Sequence, residues 1–287
     1  MTKRNTDAKA AGPDPATVLA ALREGVSGTL VDLSQPVDRL TPRDAEQSPY
    51  AMCMWSHPSI SAQENARAGA RNGIGFAVER VEFDLHTGTH LDALGHCVVN
   101  SSMHGGLTVD AVVTNAGLAA LGVETAPAIV ARGVLIDAPD AVGRPLESGE
   151  VITVEVIERA LSHQGAKVTT GDVVLVRTGW AQYSRVDNDR FLNGWPGIGL
   201  DAARWLVDRG VVAVGADTHA LEVWPPEDPN VHWPVHQELL VRAGVYIIEH
   251  ANLEELARRR AYSFLCLCLP IRFVGGTASP IRLTAVL

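Results

Sequence analysis

Three histidines and an aspartate fall at offsets 0, 4, 6 and 10 in Val81-Glu82-Phe83-Asp84-Leu85-His86-Thr87-Gly88-Thr89-His90-Leu91-Asp92-Ala93-Leu94-Gly95-His96. Neutral imidazole nitrogens and a carboxylate oxygen are the donors that borderline divalent metals prefer, so His86, His90, Asp92 and His96 point to a metal site in one segment. Their spacing constrains the backbone. On a flat strand His86 and His90 would share a face but stand about 13 Å apart, too far to hold one ion. A helix would place them together, yet Thr87, Gly88 and Thr89 are weak helix formers. The spacing therefore predicts a strand from Val81 to Leu85 and then a tight loop, bent at Gly88, that turns His86, His90 and Asp92 inward. Isolated histidines such as His57, His104, His163 and His232 carry no comparable grouping.

A metal held by one loop leaves positions for distant residues. His236, in Pro234-Val235-His236-Gln237-Glu238-Leu239-Leu240, and Glu249, closing Val245-Tyr246-Ile247-Ile248-Glu249, are the candidates. A helix that stops at Gly244 and returns as a strand brings Glu249 back beside the helix start. The bland alternatives are a polar residue near a helix N-terminus and a charge at a strand end. Asp217, in Gly215-Ala216-Asp217-Thr218-His219, follows an apolar strand; it is either a functional group at a strand end, possible substrate-binding machinery, or a cap for the next turn. Met52, Met54, Trp55 and His57 lie in an aperiodic stretch between Thr41 and Gly75. Trp55 and His57 are candidates for lining a substrate pocket, and equally for plugging a core edge.

The segment from His86 to His96 resembles the HxGTHxDxxxH signature of the metal-dependent hydrolases called the cyclase family, which includes bacterial kynurenine formamidase and isatin hydrolase. Many members carry proline two residues after the aspartate, where this chain has Leu94; no ligand is lost by that change. The family's His-x-x-Leu-Leu helix, followed by a glutamate that contacts the metal, is similar to the stretch from His236 to Glu249, although His250 stands where asparagine is common. The resemblance implies a swivelling β/β/α fold, His86, His90, Asp92, His236 and Glu249 around the metal, and a homo-oligomer, dimer or tetramer.

No Gly-x-Ser-x-Gly elbow and no cysteine-histidine nucleophile motif is present, which leaves metal-activated water as the available chemistry. His96 either moves protons between water and leaving group or ligates a second ion. The ligands lack thiolate and suit Zn2+, with Mn2+ the alternative, as one or two ions. The expected reaction is hydrolysis of an amide carbonyl, an N-formyl aryl amide or a cyclic amide. A lactone hydrolase, or a cyclase or dehydratase, is the rival enzyme, and a non-catalytic metal or small-ligand binding protein the rival of another class.

The elements that must position these residues alternate. A helix capped by Asp14 runs from Pro15 to about Glu24, and Thr29 to Ser34 reads as a strand. Further strands are expected at Gly133–Asp137, Val173–Val176, Val211–Gly215 and Val245–Ile248, with helices at Thr108–Asn115, Thr153–His163, Leu200–Arg209 and Pro234–Arg242. Apolar strands at Phe264–Leu269 and Ile281–Leu287 lack an intervening helix and predict an antiparallel portion. The fold class is thus α/β, a mixed sheet with covering helices. Residues 1–25 read as a tail and leading helix and 26–287 as a single domain.

Across 287 residues the formal net charge is -9, which repels nucleic acid. No apolar run approaches the eighteen residues of a membrane span, and four scattered cysteines fit a reducing compartment. The expectation is a cytoplasmic protein whose partner is a small-molecule substrate, with no nucleic acid and no membrane.

Overall fold

The computed structural model describes residues 12–287. Its longer strands are β1 (Leu30–Asp32), β2 (Ala51–Ser56), β3 (Val78–Glu82), β4 (His90–Asp92), β5 (Ile129–Asp137), β6 (Val173–Arg177), β7 (Ala213–Ala216), β8 (Tyr246–Glu249), β9 (Ser263–Cys268), β10 (Ala278–Pro280) and β11 (Thr284–Val286). Nine of them form one mixed sheet in the order β1-β11-β9-β5-β6-β7-β8-β4-β10. The middle four, β5 to β8, are parallel. Val173, Val174, Leu175 and Val176 are all buried, as expected where helices cover both faces. Antiparallel strands close both sides, β9, β11 and β1 on one and β4 and β10 on the other.

The covering helices include α1 (Pro15–Ala21), α3 (Val154–Gln164), α4 (Leu200–Val207) and α5 (Glu254–Arg259), while α2 (Pro58–Arg67), buried only at Ser61, lies between β2 and β3. Local chemistry sets the ends of α3. The Thr153 hydroxyl accepts from the Val156 amide, and Gly165 closes the helix with φ 61°. Between those caps Ile157, Ala160 and Leu161 are buried, and each of the two larger side chains contributes about 1.5–3 kcal/mol by leaving water. The core extends from Val31 to Ala285, so the ends of the chain and its middle share it.

Several expected elements differ. The leading helix ends at Ala21, short of Glu24. The helix expected over Thr108–Asn115 is a single turn, Val109–Val112, because Val113–Thr114 pairs back on Gly117–Leu118. Thr41–Gly75 is more regular than its sequence suggests, since β2 and β3 pair as a hairpin and α2 begins between them. The hairpin has no buried face: β2 is exposed at every residue but Ser56, and β3 throughout, so no alternation marks them as strands. The helix after Pro234 has one α turn, Pro234–His236, and then a π segment, Gln237–Ala243. Among the described residues no helix is long and apolar enough to cross a membrane.

Candidate metal centre

The loop between β3 and β4 bends at Gly88, φ +69°, where a Cβ would stand 2.9 Å from Val37 Cγ2. The bend folds His86 back onto β4. Antiparallel pairing of β4 with β8 places His90 opposite Glu249, and pairing with β10 places Pro280 on the other side of His90. The helix that starts at Pro234 supplies His236. These separate elements converge. His86 Nδ1 lies 2.9 Å from Asp92 Oδ1, His90 Nε2 lies 3.3 Å from Asp92 Oδ1 and 3.3 Å from Glu249 Oε2, and His236 Nε2 lies 3.2 Å from Glu249 Oε1.

The outer nitrogens of these rings are anchored elsewhere. His90 Nδ1 lies 2.8 Å from the Gly88 carbonyl oxygen, which can only accept. His236 Nδ1 lies 2.5 Å from Glu222 Oε1, and Glu222 also accepts from the amides of Val235 and His236. A neutral imidazole protonated on Nδ1 keeps a lone pair on Nε2, so both rings aim a free donor inward. His86 is held from outside by Thr277 Oγ1, 3.0 Å from its Nε2. Such outer partners are what orient metal-binding histidines.

Asp92 provides the test of whether these residues fit an ion. Its carboxylate is fully buried, and neither oxygen has a partner in hydrogen-bonding geometry despite the close imidazoles. A buried carboxylate without donors is costly, and a cation satisfies it together with the lone pairs around it. Electrostatics agree. Burial opposes charge on His90, yet Asp92 and Glu249 push its pKa up to about 10. Burial and Asp92 act to raise the Glu249 carboxyl, but His236 and His90 hold it well below its usual range. Both shifts report a centre short of positive charge.

His86, Asp92 and His96 form one group of donors and His90, Asp92 and Glu249 another, each within 4.8 Å. Asp92 belongs to both, a pattern that accommodates one ion or two. His96 opens onto a cavity of about 540 Å³, walled also by Asp44, Cys97, His219, Trp233 and His236. Desolvation, with the charges of His86 and His236, pushes the His96 pKa down to about 4 against the pull of Asp92. Trp233 and His250 adopt left-handed backbone, φ 56° and 55°, beside His236 and Glu249, and such strain collects at functional sites.

The other candidates stand apart. Trp55 projects from the hairpin with the Arg80 guanidinium 5.0 Å from its ring, and His57 caps α2 by accepting from the Ser59 amide. Neither lines the cavity. Asp217 is sealed inside, accepting from the Thr178 amide and hydroxyl and the Gly179 amide at 2.6–2.8 Å. It ties the turn that follows β6, and caps no donor of the next turn along the chain. Glu222, Thr277, His219 and His250 were not singled out as site residues. Glu222 and Thr277 touch only other ligands, which leaves no spacing to read; the pair His219 and His250 could have been noticed from its nearness to Asp217 and Glu249.

A larger cleft of about 900 Å³ lies at the ends of β5 and β6, but its central Arg177 is already paired with Asp137 and Glu254.

The family model described as Putative cyclase matches residues 31–223. A solved structure of a novel cyclase is 31% identical, with TM-score 0.85 over 96% of this chain and 92% of that one. The chain belongs to the cyclase family. Among named relatives, the kynurenine formamidase of Paracidovorax citrulli (strain AAC00-1) is 25% identical over 88% of this chain and 94% of its own length. Cyclase-like protein 3 of Oryza sativa subsp. japonica is 28% identical over 75% of this chain and 67% of its own. Isatin hydrolase A from Ralstonia solanacearum shares the fold, with TM-score 0.65 at 24% identity over 96% of this chain and 99% of that one.

Proposed function

We propose that this protein is a metal-dependent hydrolase of a small amide, with an N-formyl aryl amide or a cyclic amide as substrate. The observation that carries the reading is Asp92, a buried carboxylate without a hydrogen-bond partner among imidazoles whose free nitrogens face it. Kinship with a kynurenine formamidase supports amide chemistry. His86, His90, Asp92, His236 and Glu249 would hold the ion, zinc first and manganese second. Bound there, a divalent ion supplies Lewis acidity and lowers the pKa of water. Trp233, Val98 and Ala220 give the cavity an apolar side against which the substrate would pack. His96, neutral and open to the cavity, accepts a proton on its imidazole nitrogen and returns it to the leaving nitrogen.

Elemental analysis of protein purified without added metal, combined with turnover of a formanilide, a cyclic amide and a lactone, tests the reading. Amide turnover that chelation abolishes, with circular dichroism unchanged, is the expected result. Turnover of lactones alone would redirect it to carbon-oxygen bonds, and unfolding on chelation would make the metal structural. His96→Ala slows turnover roughly a hundredfold to ten-thousandfold while most metal stays bound. Metal loss as complete as in His90→Ala would make His96 a ligand.

A further inference from the structure

Charge in the cavity beside the cluster is one-sided. Among the described residues that line it there is no lysine or arginine, while Asp44 and Glu249 are carboxylates. With one divalent ion bound, the charges of Glu249 and Asp92 match it, and ligating histidines are neutral. Asp44 remains as a fixed negative charge at the rim.

The structure builds Asp44 into place. Its Oδ2 lies 3.1 Å from His219 Nε2, and His219 Nδ1 lies 3.1 Å from Nε2 of the buried His250. A carboxylate only accepts, so His219 donates to it through Nε2. The hydrogen bond from His219 holds Asp44 below its usual range, against its partial burial. Asp44 Oδ1 has no hydrogen-bond partner among the described residues, and the side chain is 56% exposed. Arg43, its neighbour in the chain, spends Nη1 on the carbonyls of Asp44 and Gln47, and with Arg39 it lines a neighbouring hollow that Asp44 also borders.

We propose that Asp44, fixed by His219 and His250, makes this cavity select substrates that carry a cationic group and disfavour those that carry an anionic one. The proposal names the substrate class for the hydrolase reading and rests on it. One carboxylate charge at a partly solvated rim separates the two classes by about tenfold.

The test uses three formanilides with the same ring and a para aminomethyl, hydroxymethyl or carboxymethyl group, and the three anilines they release. kcat/KM is measured for the formanilides and calorimetric binding for the anilines, on metal-loaded protein at low and high salt. The aminomethyl compounds are expected to exceed the carboxymethyl ones about tenfold in both readouts, with the gap shrinking at high salt. In Asp44→Asn the ratio of cationic to anionic falls toward one; should that variant fail to fold, the salt dependence of the native protein decides. An anion bound as well as the cation, a preference unmoved by salt, or one unchanged in Asp44→Asn overturns the proposal. If no formanilide is hydrolysed, the amide reading fails and the anilines still decide the charge preference.

Discussion

Asp92 and Asp217 are two buried carboxylates of the same sheet region, and the protein treats them in opposite ways. Asp217, after β7, is met by three donors of its own chain, the Thr178 amide and hydroxyl and the Gly179 amide. Asp92, at the end of β4, is met by imidazoles and left with neither oxygen hydrogen-bonded. Burial alone therefore does not mark a functional acid. A carboxylate whose lone pairs are used by backbone donors ties loops together, whereas one left bare among free imidazole nitrogens is prepared for a cation.

The largest effect that could break this contrast comes from removing each carboxylate. Asp92→Ala is expected to lose its metal and fall to background activity. Asp217→Ala should retain the metal-binding residues but lose about 3 kcal/mol of stability, because three buried donors are orphaned. Metal content and urea melts on both variants read this out; the same pattern in the two would erase the distinction.

A smaller effect sharpens the metal side. Glu222→Gln leaves every proposed ligand in place but weakens the bond that sets the His236 tautomer. Metal affinity should drop about tenfold to a hundredfold. Affinity unchanged in a competition titration would show that His236 is oriented by packing alone.

A further effect lies on the Asp217 side and depends on pH. Burial pushes its carboxyl up to about 6 from 3.8, outweighing the hydrogen bonds from Thr178. Between those values the folded protein holds a proton that the unfolded chain has released, so stability from this group falls as pH rises, and the full cost is present above the folded pKa. The gap corresponds to about 3 kcal/mol at most. Native protein compared with Asp217→Asn should therefore lose relative stability between pH 4 and 7, followed by chemical denaturation at each pH. A difference that stays constant with pH refutes the shift.

The elements were legible in proportion to how much of each is buried. Val173–Val176 announces itself as an apolar run because helices cover both faces, and α3 by its buried stripe between Thr153 and Gly165. The strand expected over Val81–Leu85 lies earlier, as β3 at Val78–Glu82, and its partner β2 was not legible, since a strand exposed on both faces carries no alternation. The π segment after His236 was also hidden, because Gln237–Ala243 is composed of ordinary helix formers.

The donor types and the bend at Gly88 were written locally: His86, His90, Asp92 and His96 lie within eleven residues, and only the chain's own geometry is needed to bring them near one another. Which nitrogen each ring turns inward could not be read there. That choice depends on the Gly88 carbonyl, on Glu222 and on Thr277, and on a register that sets Glu249 opposite His90. Except for Gly88, these partners are far away in the chain, and a hydrogen bond between distant residues leaves no periodicity behind. The contrast between Asp92 and Asp217 has the same origin, since identical side chains acquire different chemistry from the donors that folding delivers to them.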